Sequence, residues 1–342
     1  MLSCDASSFS LVTPHSHNPY ADANVLTPAD LSTSVGQSFC GGALANLRLP
    51  DIVTRLHLDY LTAGANVITT NTFAVTPWHL ARVLGEVEGN AAVDELAAAA
   101  ASCAAIAVVV APSRPGHAAP RVAACLPPLR ECYLGQDWLS CDPSGQAHDE
   151  ASRTYRRLLA ALAPHSQIAL IETMSFAEEA RVAARAARTS SLPVWLSFTL
   201  EDESASGMQP RLRSGQSLID AAASIDSPVA AWLANCSSMG AVNAALPCLA
   251  ALGDGKGAYG GSPNAFSTTT SEWLADSTAS CACDASLYDQ GVLTPHAFAE
   301  WGAHTFNSRT RAPIILGGCC GTSPAHITAL AERLSSVKVS VG

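Results

Sequence analysis

Short apolar runs alternate with segments of helical periodicity along most of the chain. Seven β-branched or apolar runs after residue 60 predict strands: 66–73, 121–125, 167–173, 194–199, 228–234, 257–259 and 314–317. Between them, apolar residues at helical spacing predict helices: 51–63, 93–109, 155–162, 177–188, 218–223, 241–252, 294–301 and 324–334. This alternation is typical of a parallel sheet covered by helices.

The first fifty residues are rich in Ser, Pro, His, Asn and Asp, and only Phe9–Val12 has the pattern of a strand. Such a strand would be the eighth and would complete a (β/α)8 barrel of the TIM type. We therefore predict an α/β fold with one barrel domain over residues 1–342 and a long Ser/Thr-rich insertion near 262–291. A doubly wound open sheet is the alternative, but no Gly-x-Gly-x-x-Gly opens its first unit.

Composition and charge narrow the class of protein. With 48% hydrophobic and 14% charged residues, the chain has ample apolar material for one large core. Its formal net charge of −10 argues against nucleic acids and anionic membrane surfaces, which are bound by basic patches. No nucleic-acid or membrane partner is therefore expected, and the sequence leaves the oligomeric state open.

The twelve cysteines are too dilute in a chain of this length for a disulfide scaffold. Residues 1–20 have neither a basic start nor an apolar run, so no signal peptide is predicted. The alanine-rich stretch 91–111 comes nearest to a membrane span, but Asp94 and Glu95 enter it early and Pro112 follows it. A cytoplasmic location is expected, where cysteines are free thiols or metal ligands.

The candidate chemistry begins at the last predicted strand, which runs into Gly317-Gly318-Cys319-Cys320-Gly321. Neighbouring side chains on a regular strand point to opposite faces, but the flanking glycines reach backbone angles closed to other residues. The two thiols can therefore converge at the end of the strand, before a helix that Ser323 caps and Pro324 begins. A metal site is one interpretation; packing, or a disulfide between the adjacent cysteines, is the other.

A third thiol, Cys236, follows the predicted strand 228–234. In a barrel the carboxyl ends of the strands form the active site, so Cys236, Cys319 and Cys320 are expected to meet there. Three thiolates with one open position describe a catalytic zinc site, whereas four protein ligands describe a structural one.

These cysteine motifs resemble those of the homocysteine S-methyltransferase family. Further matching segments occur in the family's order over roughly residues 50–335: His57-x-Asp59-Tyr60, Ala63-Gly64-Ala65, 67–73, Leu170-Ile171-Glu172-Thr173, Ser197-Phe198, Gly215-Gln216 and Asn235-Cys236. The two cysteine motifs at this separation are the specific part. The resemblance implies a (β/α)8 barrel in which Cys236, Cys319 and Cys320 hold Zn²⁺.

The resemblance also implies a reaction, methyl transfer from an activated donor to the thiol of homocysteine, which gives methionine. A free thiol is mostly protonated at neutral pH, and binding to zinc leaves a reactive thiolate. A sulfonium donor, S-methylmethionine or S-adenosylmethionine, needs only in-line positioning because its leaving group is neutral. Betaine is the less favoured donor, and a folate–cobalamin route would need further domains.

Four residues near predicted strand ends have two interpretations each. Glu172 resembles the family carboxylate that holds the substrate's amino group, although it could be a helix cap or a surface carboxylate. Asn235 could hydrogen-bond the substrate or only fix its turn. Trp78 could line a sulfonium pocket or pack at the rim, and His79 is expected to be a polar rim residue rather than a zinc ligand.

One family motif is missing, so the first strand and the region 1–50 are expected to be divergent. The family opens with a strand ending in Asp-Gly-Gly, whose carboxylate and backbone contact the amino-acid substrate. Here Gly41-Gly42 follows Cys40, and Asp5 is the nearest carboxylate by position. A catalytically impaired zinc- or amino-acid-binding relative is therefore the alternative function. A redox protein that uses Cys319-Cys320 as a reversible disulfide is a third.

Other cysteines are expected to be structural. Cys281 and Cys283 lie in the insertion with no further ligands nearby, whereas Cys125 and Cys132 flank a Pro-Pro turn and are predicted to pack.

Overall fold

The computed structural model describes residues 9–12, 41–114, 118–133, 136–202, 204, 209–253, 256–275, 286–289, 291–308 and 314–336. Its strands are β1 (Phe9–Val12), β2 (Val67–Thr69), β3 (Arg121–Leu126), β4 (Ile168–Met174), β5 (Val194–Phe198), β6 (Ala231–Asn235), β7 (Ala258–Ser262), β8 (Tyr288–Asp289), β9 (Val292–Leu293) and β10 (Ile314–Gly317). Its α-helices are Gly41–Arg48, Pro50–Ala63, Pro77–Leu84, Glu86–Val110, Gln146–Leu162, Ala177–Ala187, Leu218–Ala223, Met239–Ala251, Thr270–Ala275, Pro295–Asn307 and Pro324–Ser336.

Seven strands form a curved, all-parallel sheet in the order β2, β3, β4, β5, β6, β7 and β10. Helices lie between successive strands and pack against them, so that each strand is buried along its length. The predicted α/β class with a TIM-type parallel sheet is confirmed. The short strands β8 and β9 pair antiparallel with each other, apart from this sheet.

Strand β1 lies where the sequence pattern predicted a strand within the first fifty residues. All four of its residues pair in parallel with β10, from Phe9 opposite Ile314 to Val12 opposite Gly317. On the other side, Val12 also pairs with Val67 of β2. The order of hydrogen-bonded strands therefore closes on itself.

The interior of the curved sheet is filled by apolar side chains. They are Val67, Ala123, Ile168, Leu170, Trp195, Ala231, Leu233 and Ile315. Because side chains alternate along a strand, residues two positions further along face the same interior. Those next positions are occupied by Cys125, Glu172, Ser197 and Asn235. Polar and sulfur-bearing groups thus replace apolar ones at the carboxyl ends of the strands.

The helix Gly41–Arg48 was not predicted, because its sequence lacks a clear apolar stripe. It is joined to the segment after β2 by two asparagines. Asn46 Nδ2 donates to Asn71 O at 2.8 Å, and Asn71 Nδ2 donates to Gly42 O at 2.7 Å. Contacts with a distant part of the chain therefore stabilise this helix.

The segment after β2 also differs from the prediction, which had no helix between 73 and 93. Helix Pro77–Leu84 begins after Thr76, whose hydroxyl oxygen accepts a hydrogen bond from the backbone N–H of His79. The next helix starts at Glu86 and is longer than the predicted span 93–109. Proline at the first helical position and the threonine cap are the local signals for the first of these helices.

Among the described residues, helix Glu86–Val110 is long and apolar enough to cross a membrane, judged by length and composition alone. In the fold it packs against helices Pro50–Ala63 and Pro77–Leu84. Its side chains Val93 and Leu96 are buried in the core. A core helix of a barrel passes the same test, and packing accounts for the apolar side chains on its buried face.

The predicted insertion begins after Ser262, the last residue of β7. Its described part contains helix Thr270–Ala275 and the strand β8. Cys281 and Cys283, which were expected to be loop cysteines, lie outside the described residues.

Candidate metal centre and active site

Three buried thiols meet at the carboxyl ends of the strands. The Sγ atoms of Cys236, Cys319 and Cys320 all lie within 4.8 Å of one another, and those of Cys236 and Cys320 are 3.6 Å apart. Sulfurs that share one tetrahedral zinc at about 2.3 Å are roughly 3.8 Å from each other. The three residues predicted as a set are therefore together, at a spacing that one ion can bridge.

Cys236 is held in a backbone conformation that its residue type rarely adopts. It directly follows β6 and has a φ of 52°, in the left-handed region. Its N–H donates to Ser262 O at 3.2 Å, and its carbonyl accepts from Thr199 Oγ1 at 3.1 Å. These bonds offset a strain of order 1 kcal/mol. The turn lets Asn235 and Cys236, adjacent in sequence, both face the site.

The other two thiols are fixed by the segment that follows β7. The backbone N–H of Cys319 donates to Pro263 O at 2.9 Å. The backbone N–H of Cys320 donates to Asn264 Oδ1 at 3.2 Å. The end of β7 thus supports the cysteine turn after β10, its neighbour in the sheet.

The glycines on the two sides of this cysteine pair have different roles. Gly321 has a φ of 79°, the kind of backbone angle that was predicted, whereas Gly317 and Gly318 have no positive φ. A Cβ on Gly318 would lie 2.5 Å from the side chain of Thr322, which would have to move to admit one. The following helix begins at Pro324, and Ser323 takes the position before it, also as predicted.

Burial and mutual proximity disfavour ionisation of these thiols. Burial raises the pKa of Cys320 well above its usual value, and the two neighbouring cysteines raise it further. The pKa of Cys319 is also raised, chiefly by its hydrogen bond with Cys236. Three thiolates at this spacing therefore need a cation among them. A soft donor set of three sulfurs suits zinc, with one position left for a fourth ligand.

Asn235 is the centre of a hydrogen-bonded cluster beside the thiols. Its Oδ1 accepts from the Thr173 N–H at 3.0 Å and from the Ser197 hydroxyl at 2.7 Å. Its Nδ2 donates to Thr173 Oγ1 at 2.9 Å and to Glu172 Oε2 at 3.4 Å. The side chain of Asn235 therefore fixes three strand ends relative to one another.

Glu172 lies at the end of β4 with only 4% of its surface exposed. The interpretation as a surface carboxylate is therefore wrong. The register shifts between Ile171 and Met174, and Thr173 has a φ of 59°. This irregularity directs a buried carboxylate towards the barrel interior, where a charged group costs much free energy unless it is paired.

Residues 23–334 match the sequence profile of homocysteine S-methyltransferases. The chain belongs to the homocysteine S-methyltransferase family. It is therefore classed with methyltransferase enzymes, as the cysteine motifs predicted.

The fold agrees with this family assignment. The metallated form of the homocysteine methyltransferase MmuM from Escherichia coli has a TM-score of 0.65 and 22% identity, over 97% of this chain and 98% of that chain. The oxidized form of MmuM has a TM-score of 0.67 and 21% identity, over 95% and 96%. At this level of identity the likeness establishes a shared fold.

The N-terminal region departs from the family's Asp-Gly-Gly pattern. Gly41 is the first residue of helix Gly41–Arg48, so the pair Gly41-Gly42 begins a helix instead of ending a strand. Asp5, the predicted substitute for the motif's carboxylate, lies outside the described residues.

Tyr133, which the sequence did not single out, contacts the thiols. Its hydroxyl oxygen lies 2.7 Å from Cys236 Sγ. The loop after β3 that carries it is held by the buried Glu179, whose Oε1 accepts from the Leu129 N–H at 2.8 Å. Burial raises the pKa of Glu179 to about 7. Tyr133 follows the carboxyl end of β3, and this position is the sequence signal that could have identified it as a site residue.

The predicted rim residues have local roles. The guanidinium of Arg82 lies 4.8 Å from the centre of the Trp78 ring, a contact that favours the packing interpretation of Trp78. His79 is buried, and its Nδ1 lies 2.8 Å from Thr76 Oγ1. The expectation that His79 is a polar rim residue is therefore wrong, because it belongs to the start of a buried helix.

Cys125 and Cys132 are buried, and the prediction that they pack is confirmed. Burial raises the pKa of the Cys125 thiol, and the charge of Glu172 raises it further. Both are therefore expected to stay protonated at neutral pH.

Proposed function

We propose that this protein transfers a methyl group to the thiol of homocysteine, forming methionine, with Zn²⁺ held by Cys236, Cys319 and Cys320. The observation that carries the proposal is the set of three buried sulfurs within 4.8 Å of one another. Family membership supports the choice of acceptor. When bound, zinc keeps the substrate sulfur in its anionic, nucleophilic form at neutral pH.

The chain's own residues bind and orient the acceptor. Glu172, at the end of β4, accepts hydrogen bonds from the substrate's ammonium group. Asn235 holds that carboxylate in place through Nδ2, and its other hydrogen-bonding positions are occupied by Thr173 and Ser197. Burial of the thiols excludes water and strengthens these electrostatic contacts.

The donor is a sulfonium compound, S-methylmethionine or S-adenosylmethionine. The methyl carbon forms a bond to the homocysteine sulfur while its bond to the donor sulfur breaks, and the electron pair stays on the donor. The donor leaves as a neutral thioether, so the site needs no general acid for the leaving group. Holding the two sulfurs and the methyl carbon in line is the remaining requirement.

We further propose that residues 1–342 form one domain with a complete (β/α)8 barrel, closed by β1. A cytoplasmic location follows from the need for reduced thiols at the site.

Metal content and methionine formation test the proposal together. The wild-type protein should carry about one zinc and form methionine with one of the two sulfonium donors. Cys236→Ser should lose both properties, because two thiolates and a hydroxyl bind zinc far less tightly than three thiolates. Cys141→Ser, which changes an exposed cysteine, is the matched control and should keep both. Zinc-loaded wild type with no turnover on either donor would contradict the proposal.

A second candidate is a catalytically impaired relative that binds zinc and amino acids. It is favoured by the helical conformation of Gly41-Gly42, where the family has a strand end. In that case calorimetry of the zinc-loaded protein should detect homocysteine binding while methionine formation stays at background.

A further inference from the structure

Arg213 places a buried positive charge beside the thiols. It lies between β5 and helix Leu218–Ala223, and its backbone N–H donates to Thr199 O at 3.2 Å. Only 6% of its side chain is exposed. An arginine with so little exposure is rare unless the guanidinium has a partner.

One aromatic ring separates this charge from the thiols. The guanidinium carbon of Arg213 lies 5.6 Å from the centre of the Tyr133 ring. The hydroxyl of the same ring lies 2.7 Å from Cys236 Sγ. The guanidinium and Cys236 therefore both contact Tyr133, one at its ring and the other at its hydroxyl.

The neighbouring carboxylate of Asp202 does not use all the donors of Arg213. Arg213 Nη2 lies 3.5 Å from Asp202 Oδ2. That carboxylate already accepts from the Thr270 N–H at 3.2 Å and from the Ser271 N–H and hydroxyl at 3.0 and 2.8 Å. In the part of the chain that the structure describes, neither Nε nor Nη2 of Arg213 has a hydrogen-bond partner. Buried donors in this state call for an explanation.

We propose that Arg213 binds the α-carboxylate of an amino-acid substrate whose sulfur lies at the thiols. A guanidinium presents two parallel N–H groups that match a carboxylate, and Nε with Nη2 form one such pair. Glu172 offers the opposite charge at the end of β4, so the two residues complement a zwitterion. This inference rests on the proposed function and names a positioning residue within it.

A pair of ligands that differ only in the carboxylate tests the proposal. Homocysteine and 3-aminopropane-1-thiol share the thiol and the amine, and calorimetry of the zinc-loaded protein gives the ratio of their affinities. Arg213→Gln should reduce this ratio about 10- to 100-fold by weakening homocysteine alone, as expected for a lost charge-assisted pair. Arg211→Gln, an exposed arginine of the same segment, is the control and should leave the ratio unchanged.

Two other roles of Arg213 predict results that differ from those of a carboxylate contact. If Arg213 only packs against Tyr133, or only balances the charge of the thiolates, Arg213→Gln will weaken both thiols equally or neither. Either result overturns the proposal. Should Arg213→Gln fail to fold, Arg213→Lys is the second variant, since it keeps the positive charge but lacks the two parallel N–H groups. A partial fall in the affinity ratio for Arg213→Lys supports the proposal, and an unchanged ratio overturns it.

The same comparison with S-methylmethionine and its decarboxylated counterpart distinguishes donor from acceptor. A fall in the ratio for the homocysteine pair supports the proposal, whereas a fall confined to the donor pair, or unchanged ratios for both pairs, overturns it. Zinc-loaded wild type that binds neither thiol contradicts the proposed function itself. Wild type that prefers homocysteine irrespective of residue 213 contradicts only the role of Arg213.

Discussion

Asn235 and Cys236 are adjacent in the chain, yet they belong to two regions of the site with opposite chemistry. The side chain of Asn235 makes four hydrogen bonds to Glu172, Thr173 and Ser197. The sulfur of Cys236 meets two other thiols whose ionisation is disfavoured. Hydrogen bonds within the protein hold the first region together, whereas the thiolates of the second need a cation to balance their charge.

This difference indicates how stability and function are divided at the site. Groups that hydrogen-bond one another stabilise the fold whether or not a ligand is bound. Groups that repel one another when ionised destabilise the empty site and gain most from a ligand. Perturbing each region in turn should therefore change different measurable quantities.

Removal of the metal should give the largest effect, confined to the thiols. A chelator should lower the free energy of unfolding of wild type by about 4 kcal/mol if free zinc had been about 1,000 times its Kd. Cys319→Ala should not respond to the chelator, because its site no longer holds the ion. Urea unfolding with and without chelator measures both, and an equal response of the two proteins would remove the distinction between the regions.

Asn235→Ala should act on the other region and cost about 3 kcal/mol of stability. It leaves the Thr173 N–H, the Ser197 hydroxyl and the Glu172 carboxylate without their buried partner. Asn243→Ala is the matched control, since Asn243 accepts one bond, from Trp301 Nε1, and should lose about 1 kcal/mol. In urea unfolding, a loss for Asn235→Ala no greater than that of the control would show that the cluster is not a stabilising unit.

The loop that carries Tyr133 over the thiols should depend on pH through Glu179. Its pKa is raised in the folded state to about 7, so the folded protein holds a proton that the unfolded chain releases above its lower, unfolded pKa. This contribution to stability is present below the unfolded pKa and is lost as pH rises through about 7. Relative to wild type, Glu179→Gln should therefore gain about 2 kcal/mol between pH 5 and pH 8. Urea unfolding at the two pH values measures the gain, and a constant difference would contradict it.

Gly318→Ala should give the smallest effect, about 1 kcal/mol, because the side chain of Thr322 must move to admit a Cβ. The cysteine turn would shift with it, so zinc affinity should fall as well. Gly145→Ala is the control for zinc binding: its φ of 77° strains an alanine there, but a Cβ meets nothing within 4 Å. A competition assay with a zinc-binding dye should show weaker binding for Gly318→Ala alone.

The clustering of Cys236, Cys319 and Cys320 was predictable because its signals are local. The β-branched run 314–316, the flanking glycines and the strand before Cys236 each specify a short piece of backbone. The barrel rule then brings the strand ends together. Even β1 followed from the pattern of four residues in a region with few other sequence signals.

The parts that were missed depend on contacts between distant segments. Helix Gly41–Arg48 is fixed by Asn46 and Asn71, which are 25 positions apart. Tyr133 reaches Cys236 over 103 positions, and the signal in its own segment is only that it follows the carboxyl end of β3. Arg213 is notable only because Asp202 is already occupied by other donors. Such residues become visible when the fold is known, because their significance lies in their neighbours.

The sulfurs of Cys236 and Cys320 are 84 positions apart in the chain. Translation therefore adds Cys236 to the chain well before Cys319 and Cys320. These two cysteines follow β10, the last strand of the sheet in chain order. A growing polypeptide cannot capture zinc at this centre until its last β/α unit has been made. Under the proposed function, zinc uptake at this centre is thus a late event, and a translation product that stops before residue 319 would hold no zinc there however much zinc the cell contains.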